Sequence, residues 1–422
     1  MLNDTLSVQN GTYLKFIASL DQLGRTLYLI VVQLIAKTQF DKALFHANHL
    51  LKFIQLLKSW KNYDSNKMDK ELSSLAKRMS DTLLQGAGKL EEVKVTPVQR
   101  AAHLCVILDW RKLSLLFQAE AITNSSLECL VDRTLKCGTK YQIDCGQKNV
   151  NFKMLASFFE SIFEVLVVKT EQLITNGRDS LLVLVELGFH YGRICCKAER
   201  STQALNVFDK LLEIARKTNH SKNGQSKLHL IPSQVCCCVS LVGKATIFLN
   251  CSTNAMAQTE DSYQQMLLES NRLVSQLLKF KTLPSSVLRL LSDSMEYFRI
   301  TLQNACNSQS DLSQRTFQDA VQLLKLYAAV LSLQCELIKT VLHKANTTDD
   351  TVVQSRQQLQ KTTVQQLTVL NFVISSYQDQ IKSEKVTEEC SKDSRFVRYV
   401  CLVNNPKRRQ VAKKTYFLAC PL

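Results

Sequence analysis

Glycine and proline are scarce in this sequence, with 11 and 5 among 422 residues. Typical soluble proteins contain about 7% glycine and about 5% proline. β-sandwiches and doubly wound α/β folds use these residues at each hairpin or βα corner, so the scarcity excludes both classes. Leu, Gln, Lys and Ala are abundant instead and favour helices. Apolar residues make up 45% of the chain, which is enough for a hydrophobic core and argues against global disorder.

Targeting and membrane signals are also missing. The start, Met1–Asp4, has neither a basic nor an apolar region of the kind that opens a signal peptide. The longest largely apolar stretches, such as Thr26–Ala36 and Leu181–Phe189, are too short to span a bilayer. We therefore expect a protein of the cytoplasm and nucleus that contacts no membrane and keeps its 15 cysteines reduced.

Motifs for catalysis, metals and nucleotides are absent. No Cys or His pair has zinc-ligand spacing, and the consecutive thiols of Cys236–Cys238 would point about 100° apart on a helix. We interpret these thiols, and Cys195-Cys196, as small buried residues. His46 and His49 share a helix face but have no third ligand, so we interpret them as surface or groove residues. Phosphate-binding glycine loops are missing. We predict no enzyme activity, no cofactor and no metal.

Helical spacing of apolar residues runs through most of the chain. One stripe on a long predicted helix consists of Val321, Leu324, Ala328, Leu331, Cys335, Ile338 and Leu342. A second, after a polar link at Asn346–Asp350, consists of Leu367, Leu370, Ile374, Tyr377 and Ile381. Thr96-Pro97, Pro232 and Pro284 are typical of helix starts. The pattern predicts about fourteen helices.

Two segments match the tetratricopeptide signature, in which small residues let paired helices approach closely. The first contains Leu187, Gly188 and Tyr191 on one helix, then Ala204 and Phe208 on the next, with a connection about four residues longer than the consensus. The second contains Ala43 and Ala47, preceded by Leu27 and Phe40. With the continuous helical periodicity, these matches favour an all-α tetratricopeptide/HEAT-like α-solenoid over a compact bundle.

We predict four segments along the chain. Residues 1–140 form an amino-terminal helical-repeat array, residues 150–345 a central tetratricopeptide-like array, residues 346–392 a long helix that completes it, and residues 393–422 a basic tail. Between the first two, Lys136–Asn151 contains two Cys-Gly pairs and is the best candidate for a long loop or a seam.

The chain is basic, with a formal net charge of +16. Residues 394–422 contribute seven basic residues and no acid, and Lys407, Arg408, Arg409, Lys413 and Lys414 cluster there. This cluster fits a nuclear-localisation signal or a patch for an acidic partner, and equally a solubilising tail. Basic residues elsewhere are spread widely and not clustered beside stacking aromatics, so we expect acidic protein partners and no direct nucleic-acid binding.

The order of the segments resembles the amino-terminal part of animal separases, the cysteine endopeptidases that open cohesin at anaphase. Three stretches carry the resemblance: Gly188–Lys217 with its Arg193–Cys196 and Gln203–Phe208 motifs, Ser285–Leu302, and the two long helices of Ala320–Asp379. The resemblance covers nearly the whole chain, although its motifs are helical packing patterns of low specificity.

The resemblance implies a superhelical region that embraces the disordered inhibitor securin and contributes to control by cyclin-dependent kinase with cyclin B. The protease domain of that family has no counterpart here, so the resemblance implies a truncated or partial product that binds a regulator and cannot cut cohesin. A general tetratricopeptide adaptor, of the cohesin-loader or chaperone co-factor type, is the alternative. An enzyme is a third hypothesis.

Overall fold

The structure is a computed structural model of the whole chain. It describes residues 19, 22–59, 65–121, 127–146, 149–173, 179–220, 231–250, 260–280, 283–308, 312–344 and 349–382. The basic cluster at Lys407, Arg408, Arg409, Lys413 and Lys414 lies outside the described residues, as does the whole predicted tail.

The described part of the chain contains 13 helices and no strand. The helices are α1 (Gln22–Ala36), α2 (Phe40–Ser59), α3 (Ser65–Glu91), α4 (Arg100–Ala121), α5 (Leu127–Cys145), α6 (Phe152–Leu173), α7 (Asp179–Lys197), α8 (Ser201–His220), α9 (Ile231–Asn250), α10 (Glu260–Leu277), α11 (Ser285–Asn307), α12 (Gln314–Lys344) and α13 (Asp349–Lys382). The predicted all-α helical-repeat architecture of the α-solenoid type is confirmed.

The helices form two compact units, Met1–Cys251 and Ser252–Leu422. In the first unit, consecutive helices pack together, and alternate helices also pack in the pairs α2–α4, α4–α6, α5–α7 and α7–α9. Helices α4 and α7 are therefore each covered by both sequence neighbours and by an alternate helix on either side. This nearest-neighbour stacking is how a helical-repeat array buries its apolar faces.

Two helix pairs of the first unit, α1–α2 and α7–α8, are joined by the same turn. Thr38 and Glu199 both have left-handed backbones, with φ of 57° and 60°. The residues after them, Gln39 and Arg200, each donate their amide to a carbonyl five residues back, at 2.9 Å in both cases. These bonds define a Schellman turn. Counted from the turn, Ala43 and Ala204 occupy equivalent positions, and both are fully buried.

Close helix packing in the first unit surrounds the ring of Phe208 on α8. A Cβ on Gly192 of α7 would lie 2.7 Å from Phe208 Cζ, and one on Gly243 of α9 would lie 2.6 Å from Cε1. A Cβ on Gly188 would lie 2.8 Å from Cδ1 of Leu211. Three helices thus approach so closely that these positions accommodate hydrogen but no larger side chain.

In the second unit, α12 is the central helix and packs against α10, α11 and α13. The predicted apolar stripe of α12 is confirmed at its most buried positions, since Val321, Leu324 and Leu331 are at most 2% exposed. Helix α13 is joined to it by side chains: Gln322 Nε2 donates to the Tyr377 hydroxyl at 3.2 Å, and Gln366 Nε2 donates to the Ala328 carbonyl at 3.4 Å.

The predicted inner face of α13 is wrong in part. Leu367, placed on that face by its spacing, is 40% exposed, whereas Thr362, Val369 and Val373 are fully buried. Two stripes with the same spacing run side by side along this helix. The β-branched stripe packs on α12, and the spacing of apolar residues alone does not distinguish between them.

The predicted loop at Lys136–Asn151 is also wrong, since α5 continues to Cys145. Gly138, which belongs to one of the two Cys-Gly pairs behind that prediction, lies inside α5, and a Cβ there would lie 2.7 Å from Cε2 of Phe159 on α6. Helix α5 packs on both α6 and α7, so no seam separates them. The division into units at Cys251 differs from the predicted segments 1–140, 150–345 and 346–392.

The observed helix starts lie at or near the predicted ones. Helix α4 begins at Arg100, after a turn in which the Gln99 amide donates to the Thr96 carbonyl at 3.0 Å, so the start predicted at Thr96-Pro97 is a few residues early. Pro232 lies in the first turn of α9 as predicted, and Pro284 is the N-cap of α11.

The extra residues relative to the tetratricopeptide consensus lengthen α7, because only three residues, 198–200, connect it to α8.

Relieving the left-handed backbone at Glu199 should stabilise the protein. We expect Glu199→Gly to raise the free energy of unfolding by about 1 kcal/mol, because glycine adopts a positive φ without a Cβ clash. Glu336→Gly, at an exposed position inside α12, is the matched control and should lower it by about 0.5 kcal/mol. Urea unfolding of the full chain measures both. Equal effects of the two substitutions would contradict the turn geometry.

Adding a methyl group at Gly243 should destabilise the protein, because the Phe208 ring is 2% exposed and has no free space to move into. We expect Gly243→Ala to lower the free energy of unfolding by about 1–3 kcal/mol. Gly88→Ala is the control: its Cβ would meet nothing within 4 Å, and it should leave stability unchanged or raise it. A Gly243→Ala variant as stable as the Gly88→Ala variant would refute the close approach.

Candidate functional site

Helix α2 exposes a second stripe of residues opposite its buried face. The buried face consists of Ala43, Ala47, Leu50, Ile54 and Leu57, each at most 8% exposed. The exposed face, which we call the α2 stripe, consists of Phe45, His49, Lys52 and Leu56, spaced four, three and four residues apart. This spacing aligns them along one side of the helix.

Phe45 and Leu56 are the apolar ends of the α2 stripe, and each is 59% exposed. The ring of Phe45 lies 4.3 Å from that of His49 and 5.5 Å from that of His46, measured between centroids. A nitrogen of His49, Nδ1, lies 2.9 Å from the Phe45 carbonyl oxygen and fixes the imidazole against the helix. The Phe45 ring therefore lies exposed beside two imidazoles, where it offers aromatic contact area to a partner.

The charge of the α2 stripe is positive at its centre. Lys52 lies between the two apolar ends, and Lys42 is exposed one turn before Phe45. An acid, Asp41, lies in the first turn, where a negative charge favours the helix. Lys58, at the end of α2, is paired with Glu120. It donates to the backbone carbonyl of Glu120 and lies 3.8 Å from the Glu120 carboxylate. Burial, partly offset by Glu120, lowers the pKa of Lys58.

Charged groups elsewhere in the first unit link neighbouring helices. Lys210 on α8 lies 2.6 Å from Glu164 on α6, and Lys244 on α9 lies 2.6 Å from Asp209 on α8. Gln203 donates to Glu160 at 2.6 Å and to the Tyr191 hydroxyl at 2.8 Å. These contacts link α8 to α6, α7 and α9, so their role is structural.

One such cluster connects the end of α3 to α4 and α5. The carboxylate of Glu91 accepts hydrogen bonds from Arg111 and, at 2.8 Å, from Lys140. Burial alone would raise the pKa of Glu91, but the hydrogen bond from Lys140 and the charge of Arg111 lower it. Burial raises the pKa of the neighbouring Cys137 thiol, an effect that the Arg111 charge only partly offsets.

The cysteine clusters named from the sequence lie mainly in the core. Cys195, Cys236 and Cys238 are fully buried, and the Cys236 thiol donates to the Leu211 carbonyl at 3.3 Å. Burial raises the pKa of Cys195 to about 12 and also raises the pKa values of Cys236 and Cys238. These thiols are therefore protonated at neutral pH, which is unfavourable for nucleophilic attack and for metal ligation. Within the described ranges, no group of three or more His, Cys, Asp or Glu residues could hold a metal ion.

All seven predicted repeat-packing residues lie inside the first unit. Leu187, Tyr191, Ala204, Phe208, Ala43 and Ala47 are at most 2% exposed, and Gly188 contacts α8 through the close approach to Leu211. They hold the helices together and are unavailable to a ligand. Of the α2 stripe, sequence reasoning picked out only His49. The signal for the rest was a second run at three- and four-residue spacing beside the one that contains Ala43 and Ala47.

Two helices, α9 and α12, are long and apolar enough to cross a membrane by length and composition alone. Neither helix was predicted from the sequence to be long and apolar enough for this. The apolar stretch of α9 is 72% buried inside the protein and that of α12 is 44% buried. Core helices of soluble proteins have the same composition, so these two helices are weak evidence for a membrane span.

No protein-family model matches the sequence, and no curated protein matches it. Among solved structures, the chain is similar to a circular tandem repeat protein with novel repeat topology and enhanced subunit contact surfaces. The identity is 12%, the match covers 87% of each chain, and the TM-score is 0.36. A likeness at this level indicates nothing about function.

The Glu91 cluster predicts how stability depends on pH. Because its folded-state pKa is lowered, Glu91 stabilises the protein above its usual pKa of 4.5, and this contribution is lost as the pH falls further. We expect the stability advantage of the wild type over Glu91→Gln to be present at pH 7 and to disappear in acid. Urea unfolding across this range measures it, with Glu92→Gln at the next, exposed position as the control. A constant difference at all pH values would contradict the ion-pair geometry.

Proposed function

We propose that this chain is a non-catalytic scaffold that holds an extended, acidic segment of another protein along the α2 stripe. The observation that carries the proposal is the exposed Phe45, flanked by imidazoles and followed by Lys52 and Leu56 on the outer face of a packed helical-repeat unit. An exposed aromatic side chain with cations nearby suits a ligand that presents apolar side chains among carboxylates.

The length of the α2 stripe defines the ligand further. Phe45 and Leu56 are eleven residues apart on a helix, a distance of about 16 Å. An extended peptide covers that distance in about five residues. The preferred segment therefore has two apolar side chains about five residues apart, with Asp or Glu between them to face Lys52. The overall charge of +16 would attract such a segment over a longer range.

A more specific version of this proposal, which names the partner and the cellular process, follows the resemblance to separase. In that form the acidic ligand is a securin-like disordered inhibitor, the scaffold also contacts cyclin-dependent kinase with cyclin B, and the protein acts in sister-chromatid separation. The protein would then occur in cytoplasm and nucleus, with Lys407–Lys414 as the localisation signal. The support is the order of the helical segments.

A general tetratricopeptide adaptor is the second candidate, favoured by the equivalent turns of α1–α2 and α7–α8. Co-precipitation from mitotic cells separates the two: a securin-like protein favours the first candidate, whereas chaperone tails or cohesin-loader subunits favour the second. Cleavage of a Glu-x-x-Arg cohesin peptide, abolished by one Cys→Ser substitution in this chain, would instead identify an enzyme.

Binding to the α2 stripe is tested with a fluorescein-labelled peptide of about 16 residues, rich in Glu and Asp, with two leucines about five positions apart. Phe45→Ala should weaken its binding to the full chain by about tenfold, because the variant loses the aromatic anchor. Lys52→Glu should weaken binding and reduce its dependence on salt, since the variant loses one cation. Fluorescence anisotropy at several salt concentrations measures both effects.

Lys136→Glu on α5 is the control, because Lys136 is 74% exposed and far along the chain from α2. It should leave affinity nearly unchanged. If Phe45→Ala and Lys136→Glu have the same effect, or if the peptide does not bind, the α2 stripe is not the site.

A further inference from the structure

Helix α13 carries an exposed seam beside the face that packs on α12. The outer seam, as we call it, consists of Val353, Gln357, Gln360, Val364, Leu367 and Asn371. All six are exposed, and Val364 and Val353 are exposed to 57% and 50%. The spacing of four, three, four, three and four residues is the a/d spacing of a coiled coil. A free seam with this spacing on a helix that is already packed on its other side is a surface for one more helix.

The flanks of the outer seam carry charge of one sign only. With Val353 at position d, Arg356 falls at position g and Lys361 at position e, and both are exposed. Residues 351–378 contain these two basic residues and no acid. In coiled coils, the e and g residues set the choice of partner through pairs of opposite charge.

We infer that the outer seam binds an amphipathic helix of another protein whose e and g positions carry Asp or Glu. Val353, Val364 and Leu367 supply the apolar contacts, and Arg356 and Lys361 pair with the acidic flanks. Gln357, Gln360 and Asn371 occupy the other core positions, where polar residues fix register and reduce affinity. The complex is therefore selective and transient. This partner is a helix bound to the second unit, distinct from the extended segment proposed for α2.

A second copy of this chain does not fit the same seam. In a parallel pair, a residue at g faces the residue at e five positions further on in the partner helix. Arg356 of one copy would then face Lys361 of the other, twice in each dimer. With no acid between 351 and 378, self-pairing has no compensating contact.

The test uses a designed helical peptide of about 28 residues, with Leu and Val at a and d, one Asn at a, and Glu at every e and g position. Its counterpart carries Lys at every e and g position. Fluorescence anisotropy with the full chain should show binding of the Glu peptide only. The double variant Arg356→Glu/Lys361→Glu should bind the Glu peptide about tenfold less and acquire binding of the Lys peptide.

Lys279→Glu, an exposed charge reversal elsewhere in the second unit, is the control and should keep wild-type binding. Phe45→Ala should also keep it, which separates this inference from the proposed role of α2. Circular dichroism verifies that every variant keeps its helix content. The inference is overturned if the Glu peptide does not bind, if the double reversal leaves peptide preference unchanged, or if sedimentation shows self-association that Val364→Glu abolishes.

Discussion

The structure of the first unit depends on the close approach of α7, α8 and α9 around one ring, that of Phe208. Gly192 on one side and Gly243 on the other have hydrogen where any other residue would place a carbon within about 3 Å of that ring. The gain is close van der Waals contact between three helices, and dispersion and apolar burial both grow with such contact. The Schellman turn after α7 brings α8 back along α7 in only three residues. Ion pairs link the same helices at the edge of this core, and the Lys244 ammonium of α9 lies 2.6 Å from the Asp209 carboxylate of α8.

This way of stacking determines which surfaces remain available to partners. Helices in the middle of the first unit bury apolar residues against several neighbours, as the fully buried Phe163 and Phe189 illustrate. Helices α2 and α13 each have one packed stripe and one exposed stripe, and the exposed stripes contain large apolar residues beside cations. Buried thiols with raised pKa and paired carboxylates are poor groups for bond breaking. Because cations lie on or beside both exposed stripes, both proposals concern recognition of acidic partners.

Helix packing could be predicted from the sequence where a residue pattern is compatible with one structure only. Small residues at the signature positions of a tetratricopeptide-like helix pair predict close helix packing, and Gly188, Ala204 and Ala43 are all tightly packed. The sequence was insufficient where one pattern fits two structures. Gly138 fits a loop or a close helix crossing, and only the neighbouring Phe159 ring distinguishes them. Leu367 and Val369 belong to neighbouring stripes on α13, and only the observed packing on α12 shows which one is buried. The same ambiguity concealed both candidate binding surfaces, because an exposed apolar stripe and a core stripe have the same spacing in sequence.

Amide hydrogen exchange of the Phe208→Ala variant tests the central role of this ring most directly. Because α7, α8 and α9 share it, removing the ring should accelerate exchange in all three helices together, while α12 of the second unit exchanges as in the wild type. Acceleration confined to α8, with α7 and α9 still protected, would show that the three helices are held by other contacts and would contradict the account.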